Sequence, residues 1–285
     1  MAVKPIDQAI GVRRLGLGVS GPHGTSLLAP KSTHAIIHRA FELGVRLFDT
    51  APSYGAGEAE RRLGEALKRL PRFECIISTK VGVTSSGMTR RVRDFSPDGV
   101  RRSIDDSLKR LGLHRLDWLF LHGPAPSELT PELLKMLAEL KVSGQIGALG
   151  VAGRGGEIDA ALATGLFSVF MAPVHAGLKS WDIERLIQLK ATGAELVGFQ
   201  TLAPALPRFP MPTTVGAAWR LARGLAARPM GTSSTRMTAA ESLAWALTLG
   251  GAHRVITTTT RLDHLEHNVR AATYATPPQL GGPSD

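Results

Sequence analysis

Short apolar runs rich in β-branched residues alternate with longer amphipathic stretches along most of this chain. The short runs are typical of buried strands, and the amphipathic stretches are typical of helices that bury one face. Strands are predicted at 15–19, 45–49, 75–80, 116–122, 146–151, 168–174, 194–199 and 253–257. Helices are predicted between them at 33–43, 59–70, 97–111, 131–143, 158–164, 180–192 and 239–249.

The predicted helix boundaries carry the expected capping residues. Ser32/Thr33, Ser96 and Thr130 stand at helix starts, where a side-chain oxygen accepts hydrogen bonds from free amides. Glycine adopts the left-handed conformation that ends a helix without strain. We therefore expect helices to stop at Gly44, Gly112, Gly144 and Gly193.

Eight strand–helix repeats favour parallel strands joined by right-handed crossovers. In 285 residues this pattern predicts an α/β fold, a single-domain TIM (β/α)8 barrel over residues 1–285. Residues 203–238 break the rhythm after the seventh strand, and we expect a long loop there, on the catalytic face. Residues 275–285 are predicted to be a loosely ordered tail.

Composition narrows the class of protein. Hydrophobic residues make up 43% of the chain, and no apolar run approaches the length of a membrane span. The N-terminus lacks the apolar core of a signal peptide. Cys75 is the single cysteine, which excludes an internal disulfide and predicts a buried thiol. These features favour a cytoplasmic protein without a membrane partner.

The net charge of +10 raises the possibility of an anionic partner. The charge is densest between residues 90 and 115, where Phe95 is the one aromatic residue. Base-stacking platforms interleave basic and aromatic side chains, so nucleic-acid binding is not indicated. We interpret this basic segment as a solvated helix face, while the positive charge of the whole protein would help to attract an anionic cofactor.

Polar residues close several of the predicted strands. Asp49, Lys80 and His122 end the second, third and fourth strands, and Tyr54 follows in the loop after the second. Active sites of TIM barrels lie at the carboxyl ends of the strands, so a barrel would bring these four side chains together. No metal-ligand spacing and no nucleophile elbow competes with this set.

Together the four groups form a proton-transfer set. A free phenol has a pKa near 10, and a neighbouring ammonium favours its phenolate. Lys80 can supply that charge, Asp49 can hold Lys80 in place, and His122 can hydrogen-bond a carbonyl oxygen. Taken singly, each residue is more simply explained as a turn, a surface charge or a loop histidine. Their positions at matched strand ends favour a site.

At these positions the sequence resembles the aldo-keto reductase superfamily, over roughly residues 12–272. The resemblance runs through LFDTAPSYG (47–55), ERRLGEAL (60–67), STK (78–80), SIDDSLKRLG (103–112), LDW (116–118), LH (121–122), AESLAWAL (240–247) and HLEHN (264–268). It implies a TIM barrel with NADPH extended across the strand ends and reversible hydride transfer with a ketone or aldehyde. By position, Tyr54 matches the proton donor, Lys80 and Asp49 its tuning pair, and His122 the group that orients the carbonyl.

The resemblance also implies a cofactor site in the C-terminal part of the chain. The candidate cofactor residues are Phe199, which would stack on the nicotinamide, and Thr258, Thr259, Thr260, Arg261 and Asn268. Hydroxyls and amides at a helix start bind phosphate well, and Arg261 would pair with a 2′-phosphate. On the residues alone, the threonine run is equally typical of a strand end followed by a helix cap.

Three positions depart from the family pattern. Ala152 and Gly153 stand where a Ser-Asn pair usually holds the nicotinamide carboxamide, and Met171 stands in place of a Gln. A carboxamide without these partners loses hydrogen bonds worth about 1 kcal/mol each. His175 and Gln200 are alternative partners for it.

Three hypotheses of function remain at this point. The leading one is an NADPH-dependent reductase of a small carbonyl compound, without a metal, acting as a monomer or weak homo-oligomer. The second is a redox-neutral lyase, isomerase or cyclase that uses the same four residues with weak or no NADPH binding. The third is a non-catalytic regulatory module, which loss of the four residues would have favoured.

Overall fold

The short apolar runs form the strands of a closed barrel in a computed structural model that describes residues 11–86, 90–205, 219 and 237–276. The barrel strands are β1 (Leu15–Gly18), β2 (Leu47–Asp49), β3 (Ile76–Val81), β6 (Leu116–His122), β7 (Ile146–Ala152), β8 (Val169–Pro173), β9 (Glu195–Phe199) and β10 (Arg254–Thr257). All neighbouring pairs are parallel, in the order β1-β10-β9-β8-β7-β6-β3-β2. The predicted TIM barrel is confirmed.

Helices follow the barrel strands as the periodicity predicts. They are α1 (Pro30–Glu42), α2 (Glu58–Leu67), α3 (Pro97–Leu111), α4 (Pro131–Val142), α5 (Gly156–Ala163), α6 (Ser180–Ala191), α7 (Ala239–Leu247) and α8 (Leu262–Thr273). The predicted caps Ser96 and Thr130 are confirmed, because their hydroxyls accept from the amides of Gly99 and Leu133. Gly112 ends α3 in the left-handed conformation, with φ 66°.

The predicted start of the first helix is wrong. Helix α1 begins at Pro30, with Ala29 at the cap position and no side-chain cap, and not at Ser32 or Thr33. Proline is well suited to a first helical turn because its missing amide would have no partner there. The hydroxyl of Thr33 is instead buried against His23, with Oγ1 3.1 Å from the imidazole Nδ1.

A two-stranded antiparallel hairpin follows β3 and was not predicted. It consists of β4 (Val83–Ser86) and β5 (Arg90–Arg93). The interpretation of the basic segment as one helix face is therefore wrong in its first part, since Arg90, Arg91 and Arg93 lie on β5. The alternation of apolar and polar residues is too weak in these short strands to indicate a sheet.

The barrel interior is filled by large apolar side chains. Inward-facing residues form one buried cluster, which includes Leu47, Phe120, Val169, Met171 and Val197. A larger cluster joins the outer faces of the strands to the helices. Cys75 is buried as predicted, and burial raises the pKa of its thiol to about 11.

Two predicted segments lie largely outside the described residues. Of the loop expected at 203–238, the structure describes 203–205, 219 and 237–238, and of the tail expected at 275–285 it describes 275–276. Trp219 lies against Gly21 in the loop after β1, since a Cβ at Gly21 would be 3.1 Å from the indole nitrogen. Within the described ranges, no helix is long and apolar enough to cross a membrane.

Candidate active site

A buried ion pair joins β2 to β3 at the carboxyl end of the barrel. The ammonium of Lys80 donates to both carboxylate oxygens of Asp49, at 2.7 and 2.6 Å, and to the carbonyl oxygen of Thr50 at 2.9 Å. The hydroxyl of Ser78 donates to the same carboxylate at 2.8 Å. Only 2% of the Lys80 side chain and 5% of the Asp49 side chain are exposed. The pair is therefore held in a fixed arrangement without solvent screening.

Lys80 stays protonated in this environment. Burial by itself lowers the pKa of an ammonium, but the charge of Asp49 and the interaction with Tyr54 outweigh that effect. The pKa of Lys80 is consequently above its ordinary value. A permanent positive charge thus lies in the barrel mouth.

Tyr54 lies above this charge. The Lys80 nitrogen is 5.2 Å from the centroid of the tyrosine ring. The loop that carries Tyr54 is fixed by the close passage of Gly24 and Gly55, where a Cβ on Gly55 would be 1.8 Å from the Gly24 oxygen. Gly55 also has φ 64°, which side chains disfavour. The sequence Tyr-Gly therefore sets the direction of the phenol through backbone geometry.

His122, the last residue of β6, also lies close to Tyr54. The two ring centroids are 6.3 Å apart and the rings are nearly perpendicular. Nδ1 of His122 is buried without a hydrogen-bond partner among the described residues. Burial, followed by the charges of Lys80, Arg91 and Arg93, lowers the pKa of His122 to about 3. The imidazole is therefore neutral at physiological pH and can donate one hydrogen bond.

The structure thus brings together Asp49, Tyr54, Lys80 and His122, as the sequence analysis expected. In the described residues, no cluster of three or more acidic, histidine or cysteine side chains could hold a metal ion. The arrangement places a phenol beside both an ammonium and a neutral imidazole. Such a phenol can give up and take back a proton.

The predicted phosphate-binding residues surround the start of α8. Thr258, Thr259, Thr260 and Arg261 lie between the end of β10 and the first turn of this helix, and Arg261 is the residue at the cap position. The hydroxyl of Thr258 is 3.0 Å from that of Ser20 in the loop after β1. Free amides and the helix dipole make this end electropositive.

Arg261 already has a partner. Its guanidinium forms an ion pair with Asp263 in the same turn, with Nε donating to Oδ1 at 2.9 Å. This contact raises the pKa of Arg261 and lowers that of Asp263 well below its usual range. Both groups are on the surface, where an ion pair contributes little to stability. A phosphate at this position would therefore compete with a weak contact.

Asn268 is placed differently from the threonines. It is buried on α8, and its amide donates to the Thr257 hydroxyl at the long distance of 3.4 Å. It also lines a cavity of about 690 Å³ between α7 and α8, together with Glu241 and His267. Asn268 therefore lies where the end of β10 meets α7 and α8.

His23 is a component that the sequence analysis missed. It is fully buried, and Nε2 lies 2.9 Å from the carbonyl oxygen of Thr259. Because the opposite nitrogen contacts Thr33, the ring connects the Thr258–Arg261 loop to α1. Burial lowers the pKa of His23 to about 4, so this connection uses a neutral imidazole.

The three departures from the family pattern lie next to His122. Ala152 pairs with His122 across β6 and β7, and Met171 pairs with Ala152 across β7 and β8. Ala152 and Met171 are buried and apolar, so this wall of the site offers no polar side chain. A Cβ on Gly153 would lie 2.7 Å from an oxygen of the Glu157 side chain, so Glu157 occupies the space beside this position.

Phe199 is the last residue of β9, at the same end of the barrel as His122. The guanidinium of Arg154 lies over its ring, and Arg154 was not among the predicted site residues. Arg154 lies 5.3 Å from the Phe199 ring centroid and donates to the Gln200 side-chain oxygen at 2.8 Å. Nδ1 of His175, the other alternative partner for a carboxamide, accepts from the Gly177 amide at 3.2 Å. These loop contacts could not be read from strand or helix periodicity.

We expect the effects of replacing Lys80 and Asp49 on the free energy of unfolding to depend strongly on each other. Lys80→Met alone leaves a buried carboxylate without its cation and should cost about 3–5 kcal/mol of unfolding free energy. Replacing both residues, as Lys80→Met with Asp49→Asn, should recover most of that loss. Urea denaturation of the two single variants and the double variant measures the coupling, and additive losses would contradict it.

We expect His122 to remain neutral throughout the range in which most enzymes work. With a pKa of about 3, its ring should show no protonation between pH 8 and pH 5 in an NMR titration. His122→Asn identifies its signals, and a midpoint near 6.5 would contradict the electrostatics described above. Because the unfolded chain binds this proton more readily, the group should also lower folding stability as pH falls from about 6.5 toward 3.

Several known proteins are similar in sequence to this chain. L-galactose dehydrogenase from Arabidopsis thaliana is 32% identical over 212 residues, which cover 70% of this chain and 65% of that protein. D-threo-aldose 1-dehydrogenase from a Pseudomonas species is 33% identical over 53% of both chains. NADH-specific methylglyoxal reductase from Escherichia coli is 33% identical over 50% of this chain and 49% of that protein. The chain thus spans about half to two thirds of the length of these relatives.

Solved structures extend the likeness to the whole barrel. A protein from Pseudomonas aeruginosa described as an aldo-keto reductase superposes with TM-score 0.72 at 26% identity, over 92% of this chain and 90% of that chain. The holo form of aldo-keto reductase AKR11C1 from Bacillus halodurans, at 24% identity, shares the fold with TM-score 0.74. The family model of the aldo/keto reductases matches residues 14–279. This chain belongs to the aldo/keto reductase family.

Proposed function

We propose that the protein is an NADPH-dependent oxidoreductase that reduces a ketone or aldehyde of a small molecule to the alcohol. The observation that carries the proposal is the position of Tyr54, close to both the buried Lys80–Asp49 pair and the neutral ring of His122. A carbonyl that gains a hydride needs a proton on its oxygen, and this phenol is arranged to donate one. When bound, NADPH supplies the hydride.

Each of the four residues has a separate task in this proposal. Tyr54 gives its proton to the carbonyl oxygen, and the Lys80 ammonium stabilises the phenolate that remains. Asp49 keeps Lys80 charged and fixed in place. His122 donates a hydrogen bond to the carbonyl oxygen, which orients the substrate and favours negative charge on that atom.

The residues at the start of α8 fit the phosphates of such a cofactor. The helix start supplies amides and hydroxyls, and a Cβ on Gly18 would be 2.5 Å from the Thr258 hydroxyl. Glycine at position 18 therefore lets the Thr258 side chain pack closely against the end of β1. Arg261 would exchange Asp263 for the 2′-phosphate that distinguishes NADPH from NADH.

The opposite end of the cofactor would be held in a different way. Ala152 and Met171 offer only apolar contact to a nicotinamide. Arg154 and Gln200, which lie beside Phe199, would supply the polar contacts. We therefore expect cofactor affinity to depend mainly on the phosphate end.

The relatives support small polar carbonyl compounds as substrates. Their names refer to D-threo-aldoses, L-galactose and methylglyoxal. One of them is specific for NADH, so the choice of NADPH for this chain depends on Arg261.

We expect Tyr54→Phe to remove turnover and to leave cofactor binding intact. Loss of the phenolic proton should lower kcat by about 10²–10⁴-fold, since that is the usual contribution of a general acid. The affinity for NADPH should change less than twofold. Reduction of methylglyoxal and of sugar aldehydes, followed by NADPH absorbance, measures the first effect, and fluorescence titration measures the second.

The chain supplies a matched control for this experiment. Its only other tyrosine, Tyr274, is on the surface, and Tyr274→Phe should reduce the same aldehydes at the wild-type rate. Equal activity of Tyr54→Phe and wild type would remove Tyr54 from the mechanism.

We expect the protein to bind NADPH more tightly than NADH in a fluorescence titration. Arg261→Met should weaken NADPH binding about tenfold, because a charge-assisted contact to the 2′-phosphate is lost, and should leave NADH binding unchanged. Arg69→Met removes another exposed arginine and serves as the control. Absence of binding by either nucleotide at sub-millimolar concentration would overturn the reductase proposal and favour the redox-neutral hypothesis.

A further inference from the structure

The hairpin of β4 and β5 stands at the rim of the candidate active site. It begins two residues after β3, the strand that carries Lys80. Its register pairs Val83 with Arg93 and Ser85 with Arg91. In an antiparallel pair, residues directly opposite each other and residues two apart lie on the same face. Val83, Ser85, Arg91 and Arg93 therefore share one face of the hairpin.

That face is directed toward the site. Val83 is buried, and the hydroxyl of Ser85 donates to the carbonyl oxygen of Ser53, the residue before Tyr54, at 2.8 Å. The residues of the opposite face, Thr84 and Val92, are exposed. The hairpin is thus packed against the loop that presents Tyr54.

Arg93, on this face, attaches the hairpin to the loop that follows β6. Its guanidinium donates to the carbonyl oxygen of Gly123 at 2.9 Å and forms an ion pair with Glu128 at 2.5 Å. Gly123 directly follows His122, so Arg93 attaches the hairpin to the second loop of the site. The charge of Arg93 is neutralised by Glu128.

Arg91 has no comparable partner. Among the residues that the structure describes, no carboxylate pairs with it and no hydrogen bond engages its exposed side chain. It lies opposite Ser85, between the attachments to Ser53 and to Gly123. Its charge reaches the site, because Arg91 is one of the cations that lower the pKa of His122.

The other two cations that act on His122 are paired with carboxylates. Lys80 is paired with Asp49, and Arg93 with Glu128. Glu157 approaches Gly123, but its carboxylate accepts from the backbone amide of Arg154. An unpaired guanidinium that faces a site suits an anion, because its planar donors match the oxygens of a carboxylate or phosphate.

We propose that the natural substrate is a carbonyl compound that also carries an anionic group, a carboxylate or a phosphate, and that Arg91 binds this group. The inference rests on the proposed function. Arg91 is the specificity residue, and Tyr54 and His122 contact the carbonyl oxygen.

Binding of matched aldehydes to the full chain tests the proposal. The probes are terephthalaldehydic acid, para-formylphenyl phosphate and the methyl ester of the acid, which share one aromatic aldehyde and differ in charge. Calorimetric titration with and without NADP⁺ gives their affinities without turnover. At least one anionic probe should bind about tenfold to a hundredfold more tightly than the ester. The anionic probe that binds more tightly shows whether the site prefers a carboxylate or a phosphate.

Arg91→Met should remove this preference and leave the affinity for the ester unchanged. Arg91→Lys should retain part of it, because the charge remains and the two-pronged contact is lost. Arg101→Met, which removes an exposed arginine on α3, should behave as wild type. Equal affinity of the wild type for the ester and both anions would overturn the proposal, as would an undiminished preference in Arg91→Met.

The outcome is separable from that of the proposed function. If the wild type prefers an anion through Arg91 and yet reduces none of the aldehydes with either nucleotide, the reductase proposal fails and the anion site stands. If it reduces the ester as efficiently as both anions and Arg91→Met changes neither KM nor kcat, the anion site fails and the reductase proposal stands.

Discussion

Lys80 and Asp49 lie on neighbouring strands with their charged groups in direct contact and almost no exposure to water. Burial of either charge alone would be unfavourable, so each requires the other. The pair fixes the ends of β2 and β3, holds a positive charge beneath Tyr54 and contributes to keeping His122 neutral. The positive charge beside Tyr54 therefore depends on this one contact, and burial adds the neutral state of His122.

The barrel could be predicted from the sequence because parallel strands that are buried on both faces appear as nearly continuous apolar runs. The positions of Asp49, Lys80 and His122 could be predicted as well, since each of these polar residues lies at or near the end of an apolar run. The hairpin was missed for the opposite reason. Residues 83–93 are mostly polar, and their pairing depends on contacts with Ser53 and Gly123 that are distant along the chain.

The hydrophobic pattern of the sequence could not predict contacts between loops. His23 meets Thr259 across 236 positions, and Arg154 meets Gln200 across 46. Neither contact has a periodic signal, because each depends on how separate loops meet at the rim of the closed barrel. A contact between loop and helix also explains the wrong start of α1, because the Thr33 hydroxyl contacts the His23 ring and does not cap its own helix.

The contact of His23 with Thr259 also bears on how the barrel closes. The seam between β1 and β10 joins strands from opposite ends of the described chain, with Leu15 beside Val255. Loop-closure entropy opposes contacts between such distant segments. The His23–Thr259 and Ser20–Thr258 contacts join the two sides of this seam at the site that we propose for the cofactor phosphates. A ligand held there would bind only the closed ring, so cofactor occupancy and the integrity of the fold become linked quantities.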